Sequence, residues 1–385
     1  MPKIKTGLEV LLEKRALTGV RVGFLCHQAS VDSHLRHGID LLEEANLNLT
    51  AIFGPEHGLW GTAQDQIEVP SQARDRIPVY SLYADHRFPT EVMLKDIDVL
   101  VCDLQDVGSR YYTFVWTMAL AMQACAKYHK KFMVLDRPNP LGGAVLEGPV
   151  LDPDYASFVG LYPVPVRHGM TIGELALWIN EGLGVQAELE VVPMKGWKRS
   201  MYFDSTGLPW VLPSPNMPTL ETALVYPGMC LVEGTNLSEG RGTTRPFEII
   251  GAPFIQPDVL EKSVRKHKLP GLLTRACRFE PTFHKFQGLP CGGIQLHVTD
   301  RKKFKPFLTG LTLIQTIQEL YPQNFAWRNP PYEYETQKLP FDILCGTASI
   351  RTSLDTRKPI RTLESHWVDD LQKFARQRQP FLLYN

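Results

Sequence analysis

No stretch of this sequence is apolar for long enough to cross a bilayer, which takes about 20 consecutive residues. The longest apolar run, Phe114–Cys125, falls well short of that, so no membrane insertion is expected. Charge of one sign is not in excess either. The 41 Lys and Arg balance 41 Asp and Glu, so no global field draws the protein to nucleic acid or to an anionic membrane. The seven cysteines are odd in number and show no CxxC metal spacing. Cys26 and Cys102 sit inside apolar runs (VGFLC, VLVCD) and read as small buried side chains of a reducing compartment. The amino-terminal MPKIKTGLEVLLEK lacks an apolar export core and reads as an amphipathic helix, so a cytoplasmic location is expected.

Cofactor signatures are missing too. Where a GxGxxG would follow the first strand, VGFLCHQAS stands instead. The patterns GxxxxGK[ST], HExxH, GxSxG and DxDxDG are absent as well, so nicotinamide, nucleotide, zinc-protease and calcium-loop readings lose their usual support. No cofactor and no metal are expected.

What is present is a globular composition, 44% hydrophobic and 21% charged, over 385 residues. That length exceeds a single core and implies two domains. In the first half, short apolar runs alternate with helical patterns, which indicates βαβ units and an α/β fold with a mainly parallel, Rossmann-like sheet. Strands are expected at Val20–Cys26, Leu49–Phe53, Val79–Leu82, Val99–Cys102, Phe132–Leu135 and Val164–Val166. Helices are expected at Gly38–Ala45, Thr113–Lys131 and Ile172–Asn180, the last opening with a Thr171/Glu174 capping box. A Pro-rich, aromatic segment from Lys195 leads to a boundary near Pro227. It separates residues 1–227 from a smaller α+β domain, 228–385, with a strand at Gly293–Val298 and a helix at Leu311–Leu320.

Polar clusters follow the strands. LTAIF leads into Gly-Pro-Glu56-His57-Gly; DVLVC into Asp103-Leu-Gln105-Asp106, then Arg110, Tyr111 and Tyr112. KFMVL leads into Asp136-Arg137-Pro-Asn139, and PVPV into Arg167-His168. In open parallel sheets the carboxyl ends of the strands form the ligand crevice, so these clusters should meet on one rim. Glu56, on a turn stiffened by Gly and Pro, suits a desolvated general acid, or else caps its own turn or pairs with an arginine. His57 orients a neighbour or binds metal. Asp103 and Asp106 suit a base and an orienting carboxylate, or a structural helix entry. Arg110, Arg137 and Arg241 could grip a carboxylate on an acidic sugar. Tyr111, Tyr112, Trp60 and Trp210 could pack on a sugar face or simply in the core, and Asn139 could bind or build its turn. Glu233, Asn236, Glu239 and Arg241 lie in a polar, Gly-rich stretch that reads either as the opposite cleft wall or as a linker.

The ordered motifs FGPEHGLWG, DLQDVGSRYYTF, LDRPNPLGG, EGPVLD, RHGMTIGELA, SPNMPT, YPGMCLVEGTNLSEGRGTTRPFEIIGAP and the late PFDILCG resemble the NamZ-type exo-β-N-acetylmuramidases. The resemblance runs from about Gly19 to the C-terminus. It implies a Rossmann-like N-terminal domain, a smaller C-terminal domain and an active site in the cleft between them. It also implies cofactor-free release of N-acetylmuramic acid from the non-reducing end of peptidoglycan fragments of MurNAc–GlcNAc type. On this resemblance the catalytic carboxyl falls on Glu56. Other motif positions fall on Asp103, Gln105, Arg110, Tyr112, Asp136, Arg137, Asn139, Glu239 and Arg241. Many members of that family carry an export signal, which this amino terminus does not show. The expected mechanism has Glu56 as general acid, with Asp103 or Glu239 activating water or orienting the substrate's acetamido group. Three rivals remain: a non-catalytic wall-sugar binder, another amino-sugar glycosidase, and a metal-dependent hydrolase or deacetylase gathering His27, His57 and His168.

Overall fold

A computed structural model describes residues 4–14, 16–64, 72–74, 77–83 and 86–385; the first three residues of the amino-terminal helical pattern lie outside them. The strands are β1 (Arg21–Cys26), β2 (Asn48–Gly54), β3 (Gln72–Arg74), β4 (Ile77–Ser81), β5 (Val99–Asp103), β6 (Lys131–Leu135), β7 (Glu147–Val150), β8 (Pro165–Arg167), β9 (Leu189–Val192), β10 (Ile249–Ala252), β11 (Leu272–Phe279) and β12 (Cys291–Val298). One sheet runs β3-β4-β2-β1-β5-β6-β9. It is parallel throughout except at the edge strand β3. Without β3, its strands taken in chain order lie 3-2-1-4-5-6, the doubly wound Rossmann arrangement.

The central strands are apolar on both faces, as a parallel sheet covered by helices requires. Alternation divides them between two cores. Val22, Phe24, Val99, Val101 and Met133 pack under the helices Gly7–Lys14 and Gly38–Glu44. Leu25, Leu100, Cys102, Phe132 and Val134 face the helix Phe114–Lys127, in a cluster that continues into the C-terminal region. There the antiparallel sheet β10-β12-β11 packs with the helices Pro257–Arg265 and Pro306–Leu320. The helices Leu220–Met229 and Pro306–Leu320 meet backbone to backbone. A Cβ on Gly228 would stand 1.8 Å from the Pro306 carbonyl oxygen, and one on Gly310 would stand 2.3 Å from that of Gly228. Pro227, where the sequence suggests a change of domain, lies inside the buried helix Leu220–Met229.

Several elements depart from expectation. The Val164–Val166 run is not a sheet strand. It contributes to β8, which begins with a proline, forms a two-stranded ribbon with β7, and bridges Arg167 to Ser109. The helix expected to reach Lys131 ends at Lys127, because Lys131 already pairs with Val99 in β6. The helix starting at Ile172 has the expected capping box but turns into a π-helical segment at Trp178–Gly182. Strands β3, β7, β9, β10 and β11 have no counterpart among the expected strands; β9, the far edge of the parallel sheet, is short and alternates only weakly. No helix among the described residues is long and apolar enough to cross a membrane.

Candidate active site

Strand β2 ends at Gly54 and the chain turns sharply through Pro55-Glu56-His57-Gly58. His57 and Gly58 both adopt positive φ, +69° and +78°. For His57 this is a conformation that L side chains seldom take, and such strain collects at functional sites. The turn is pinned by the Gly58 N–H donating to the Pro55 carbonyl (3.0 Å) and by His57 Nδ1 against the Ala63 carbonyl (2.9 Å). A carbonyl only accepts, so Nδ1 carries the proton. Glu56 is 5% exposed. Its Oε2 accepts a 2.6 Å hydrogen bond from Thr113 Oγ1. Thr113 stands at the N-cap position of the helix Phe114–Lys127, yet its side chain makes no capping bond. The hydroxyl that would ordinarily satisfy the helix end is spent on the carboxylate instead.

Glu56 opens into a cleft enclosing about 490 Å³ of non-atom space, its open mouth included. The first domain contributes Glu56, His57, Tyr111, Tyr112 and Thr113 to its lining. The C-terminal region contributes Glu233, Arg241, Phe247, Tyr332 and Glu333, and the segment between them Ser214, Asn216 and Met217. Its aromatic wall is ordered edge to face: Tyr112 against Phe114 (4.8 Å) and Tyr226 against Phe247 (4.8 Å). Burial pushes the Tyr112 and Tyr226 phenols well above their ordinary values, which keeps both as neutral hydroxyls. Arg241 lies over the Phe247 ring at 5.0 Å and bonds Glu233 at 2.8 Å. Behind it Glu239 is fully buried between Lys285 (3.0 Å), His284 (3.0 Å) and Arg241 (3.5 Å). Burial alone would raise the Glu239 carboxyl, but Lys285, His284 and Arg241 together hold it below the usual range.

Of the residues singled out in the sequence, Glu56, His57, Tyr111, Tyr112, Glu233 and Arg241 therefore line the cleft. The structure places the others elsewhere. Asp103 is fully buried and gripped by Arg137 through both nitrogens, Nε to Oδ1 and Nη2 to Oδ2 (2.7 Å). This pair sits at the β1/β5 switch point, where a dinucleotide would bind in other doubly wound proteins. Here the backbone of Leu212 and Pro213 covers that position, the Leu212 carbonyl accepting from Gln28 (2.7 Å) and the Pro213 carbonyl meeting His27 (3.3 Å). Gln105 bonds the Asp106 and Pro138 carbonyls. Arg110 donates to the carbonyls of Pro149, Val164 and Leu344, tying the two halves together. Asp136 accepts from Thr171, Gly173 N and Tyr384, and burial pushes its carboxyl up to about 7. Asn139 builds its own turn and bonds the Met170 carbonyl. Asn236 pins the loop at Asn324 and Ala326. Trp60 is half exposed against His37, and Trp210 packs on Phe203.

The three histidines of the metal-dependent reading each answer to other partners. His27 Nε2 accepts from the Gln105 N–H (3.0 Å), His57 is bound to its own turn, and His168 faces Asp106 at 3.3 Å. Among the described residues no three His, Cys, Asp or Glu side chains converge as a metal site would require. Sequence reading missed Thr113 as a partner of Glu56 and passed over Glu333 altogether. Ser214 and Asn216 sit in the SPNMPT motif, where the sequence does not distinguish a cleft residue from a turn residue.

Residues 22–221 match the family described as exo-beta-N-acetylmuramidase NamZ, N-terminal, and residues 224–384 match its C-terminal counterpart. A Bacillus subtilis (strain 168) protein named peptidoglycan beta-N-acetylmuramidase NamZ is 49% identical over 388 residues, covering 100% of this chain and 92% of its own. Two crystal structures of DUF1343 family proteins from Bacteroides fragilis NCTC 9343 share the fold. One superposes with a TM-score of 0.90 at 36% identity, covering 100% of both chains. The other has a TM-score of 0.79 at 30% identity, covering 100% of this chain and 99% of that one.

Proposed function

The chain belongs to the exo-beta-N-acetylmuramidase NamZ family across both of its halves, and from that premise we infer that it is a glycoside hydrolase of peptidoglycan. It hydrolyses the β-glycosidic bond of an N-acetylmuramic acid at the non-reducing end. The observation that carries this reading to a particular place is the Glu56 carboxyl, set at the end of a parallel strand on a strained turn and held by Thr113 in an aromatic cleft between the two parts of the chain.

In the reaction Glu56 gives its proton to the glycosidic oxygen as the C1–O bond breaks, the role of the acid in glycosidic cleavage. A turn pinned by two hydrogen bonds and a carboxyl group fixed by a third supply the positioning that such a transfer needs. The phenol of Tyr112 and the ring of Phe247 belong to the aromatic wall of the cleft. Of the three arginines first considered for the lactyl carboxylate, Arg110 and Arg137 are committed to internal partners. Arg241 is paired as well, with Glu233 and Glu239, but among the described residues it is the arginine that lines the cleft, and it carries that assignment.

The test is hydrolysis of para-nitrophenyl β-N-acetylmuramide beside the matching β-N-acetylglucosaminide. Release from the muramide alone is expected. Equal release from both sugars would contradict the assignment to muramic acid, and release from neither would contradict hydrolysis of this bond.

A further inference from the structure

The two candidates first considered for a second carboxylate lie outside the cleft, Asp103 locked to Arg137 and Glu239 behind Arg241. Among the described residues, the acidic ones in the lining are Glu56, Glu233 and Glu333. Glu233 already serves Arg241 (2.8 Å) and the Tyr332 hydroxyl (2.7 Å), which makes it a strut of the wall. Resting on the glycosidase reading above, we propose that Glu333 is the second catalytic carboxylate, the base that takes a proton from the attacking water while Glu56 protonates the departing oxygen.

The local backbone supports this. Tyr332 and Glu335 exchange hydrogen bonds (2.8 and 2.9 Å) to close a tight two-residue turn. Its two middle residues, Glu333 and Tyr334, both have positive φ, +45° and +67°. Such turns ordinarily carry Asn-Gly or Asp-Gly, because side chains resist this conformation. A glutamate and a tyrosine are no help to the turn itself. Their presence places a carboxylate in the cleft at a cost in backbone comfort, the pattern found where strain serves a site.

The side chain is also held. Glu333 is 8% exposed, and its Oε2 accepts from the Tyr83 hydroxyl at 3.1 Å. Tyr83 is wedged between Phe158 (5.6 Å) and Tyr334 (5.8 Å). Burial first, and then the charges of Glu56 and Glu333, drive the Tyr83 phenol far above its ordinary value. One phenol therefore feels both carboxylates, one delivered by the first domain and one by the C-terminal region. It stays protonated as a donor to Glu333.

The step balances without a cofactor. The Glu56 proton passes to the glycosidic oxygen as the C1–O bond breaks. The water oxygen bonds to C1, and the proton it loses goes to Glu333. The products are free muramic sugar and a shortened chain with a new hydroxyl. The two carboxyls finish with exchanged protonation and reset through solvent.

The test compares wild type, Glu333→Gln and Glu333→Ala on the MurNAc–GlcNAc disaccharide and on para-nitrophenyl β-N-acetylmuramide, with melting temperatures measured in parallel. For Glu333→Gln the expected result is a fall in kcat of about 10²–10⁴-fold. The fall should be similar on both substrates with KM little changed, because a base acts on the water whatever the leaving group. Azide needs no base, so it should restore turnover to Glu333→Ala and yield a glycosyl azide. An active wild type beside a fully folded Glu333→Gln of near-wild-type kcat would overturn this proposal alone, as would a loss confined to KM. A folded Glu333→Ala that azide does not rescue would overturn it too. A wild type inactive on both substrates would overturn the muramidase reading and this proposal with it.

Discussion

Replacing Thr113 by Val isolates one contact of the candidate acid. The substitution keeps the branched shape and removes the hydroxyl that donates to Glu56 at 2.6 Å. Both partners are nearly buried, Thr113 at 6% and Glu56 at 5% exposure. The acid acts in its protonated form, and a hydrogen bond to a neutral group contributes about 0.5–1.5 kcal/mol. If that energy serves to hold the carboxyl in its reactive rotamer, kcat should drop roughly 2- to 12-fold. The usual loss of helix stability at an N-cap should be missing, because this side chain caps nothing. The assay is kcat on the MurNAc–GlcNAc disaccharide together with the melting temperature. Turnover should fall while the melting temperature holds, and Thr113→Ser should recover most of the rate. Near-wild-type turnover in a folded Thr113→Val would refute the reasoning that this bond positions the acid.

Two further outcomes follow from buried groups outside the cleft. The Asp136 carboxyl is raised by burial from the ordinary 3.8 to about 7, so the folded state binds its proton more readily between those values. The stability this confers is complete below the ordinary value and is lost as pH rises through 7, on the order of 4 kcal/mol. Urea unfolding of Asp136→Asn across pH 4–8 should show a flatter decline than wild type, and identical slopes would contradict it. Removing one partner of the buried Asp103–Arg137 pair strands the other charge, so Arg137→Ala should cost about 3–5 kcal/mol in the same assay. Asp103→Asn should lose stability while the folded enzyme keeps its kcat. A stable Asp103→Asn without activity would place Asp103 in the chemistry after all.

Much of this architecture could be read from residue order. The apolar runs that became β1, β2, β5 and β6 stand out because strands buried on both faces need no polar alternation. The Glu56 turn stands out because Gly, Pro and Gly bracket a Glu-His pair directly after such a strand. The polar residues after the other strands were harder to assign, since sequence shows only that a polar group stands at a strand end. It cannot say whether that group faces a ligand or a neighbouring carbonyl. Arg110, Asp136 and Asn139 answer to carbonyls, hydroxyls and backbone N–H groups within the fold. Glu333 was hidden for another reason. Its segment, PPYEYETQK, has no periodicity, and its place in the same cleft as Glu56 is made by the docking of two regions far apart in the chain.

The measurement that tests the central claim most directly is Glu56→Gln on two substrates that differ in leaving group. A sugar hydroxyl must be protonated to depart, whereas para-nitrophenolate leaves readily without help. The account expects turnover of the MurNAc–GlcNAc disaccharide to fall about 10²–10⁴-fold. Release of para-nitrophenol from the muramide should fall far less. A folded Glu56→Gln that cleaves the disaccharide at close to the wild-type rate would contradict the assignment of Glu56 as the acid.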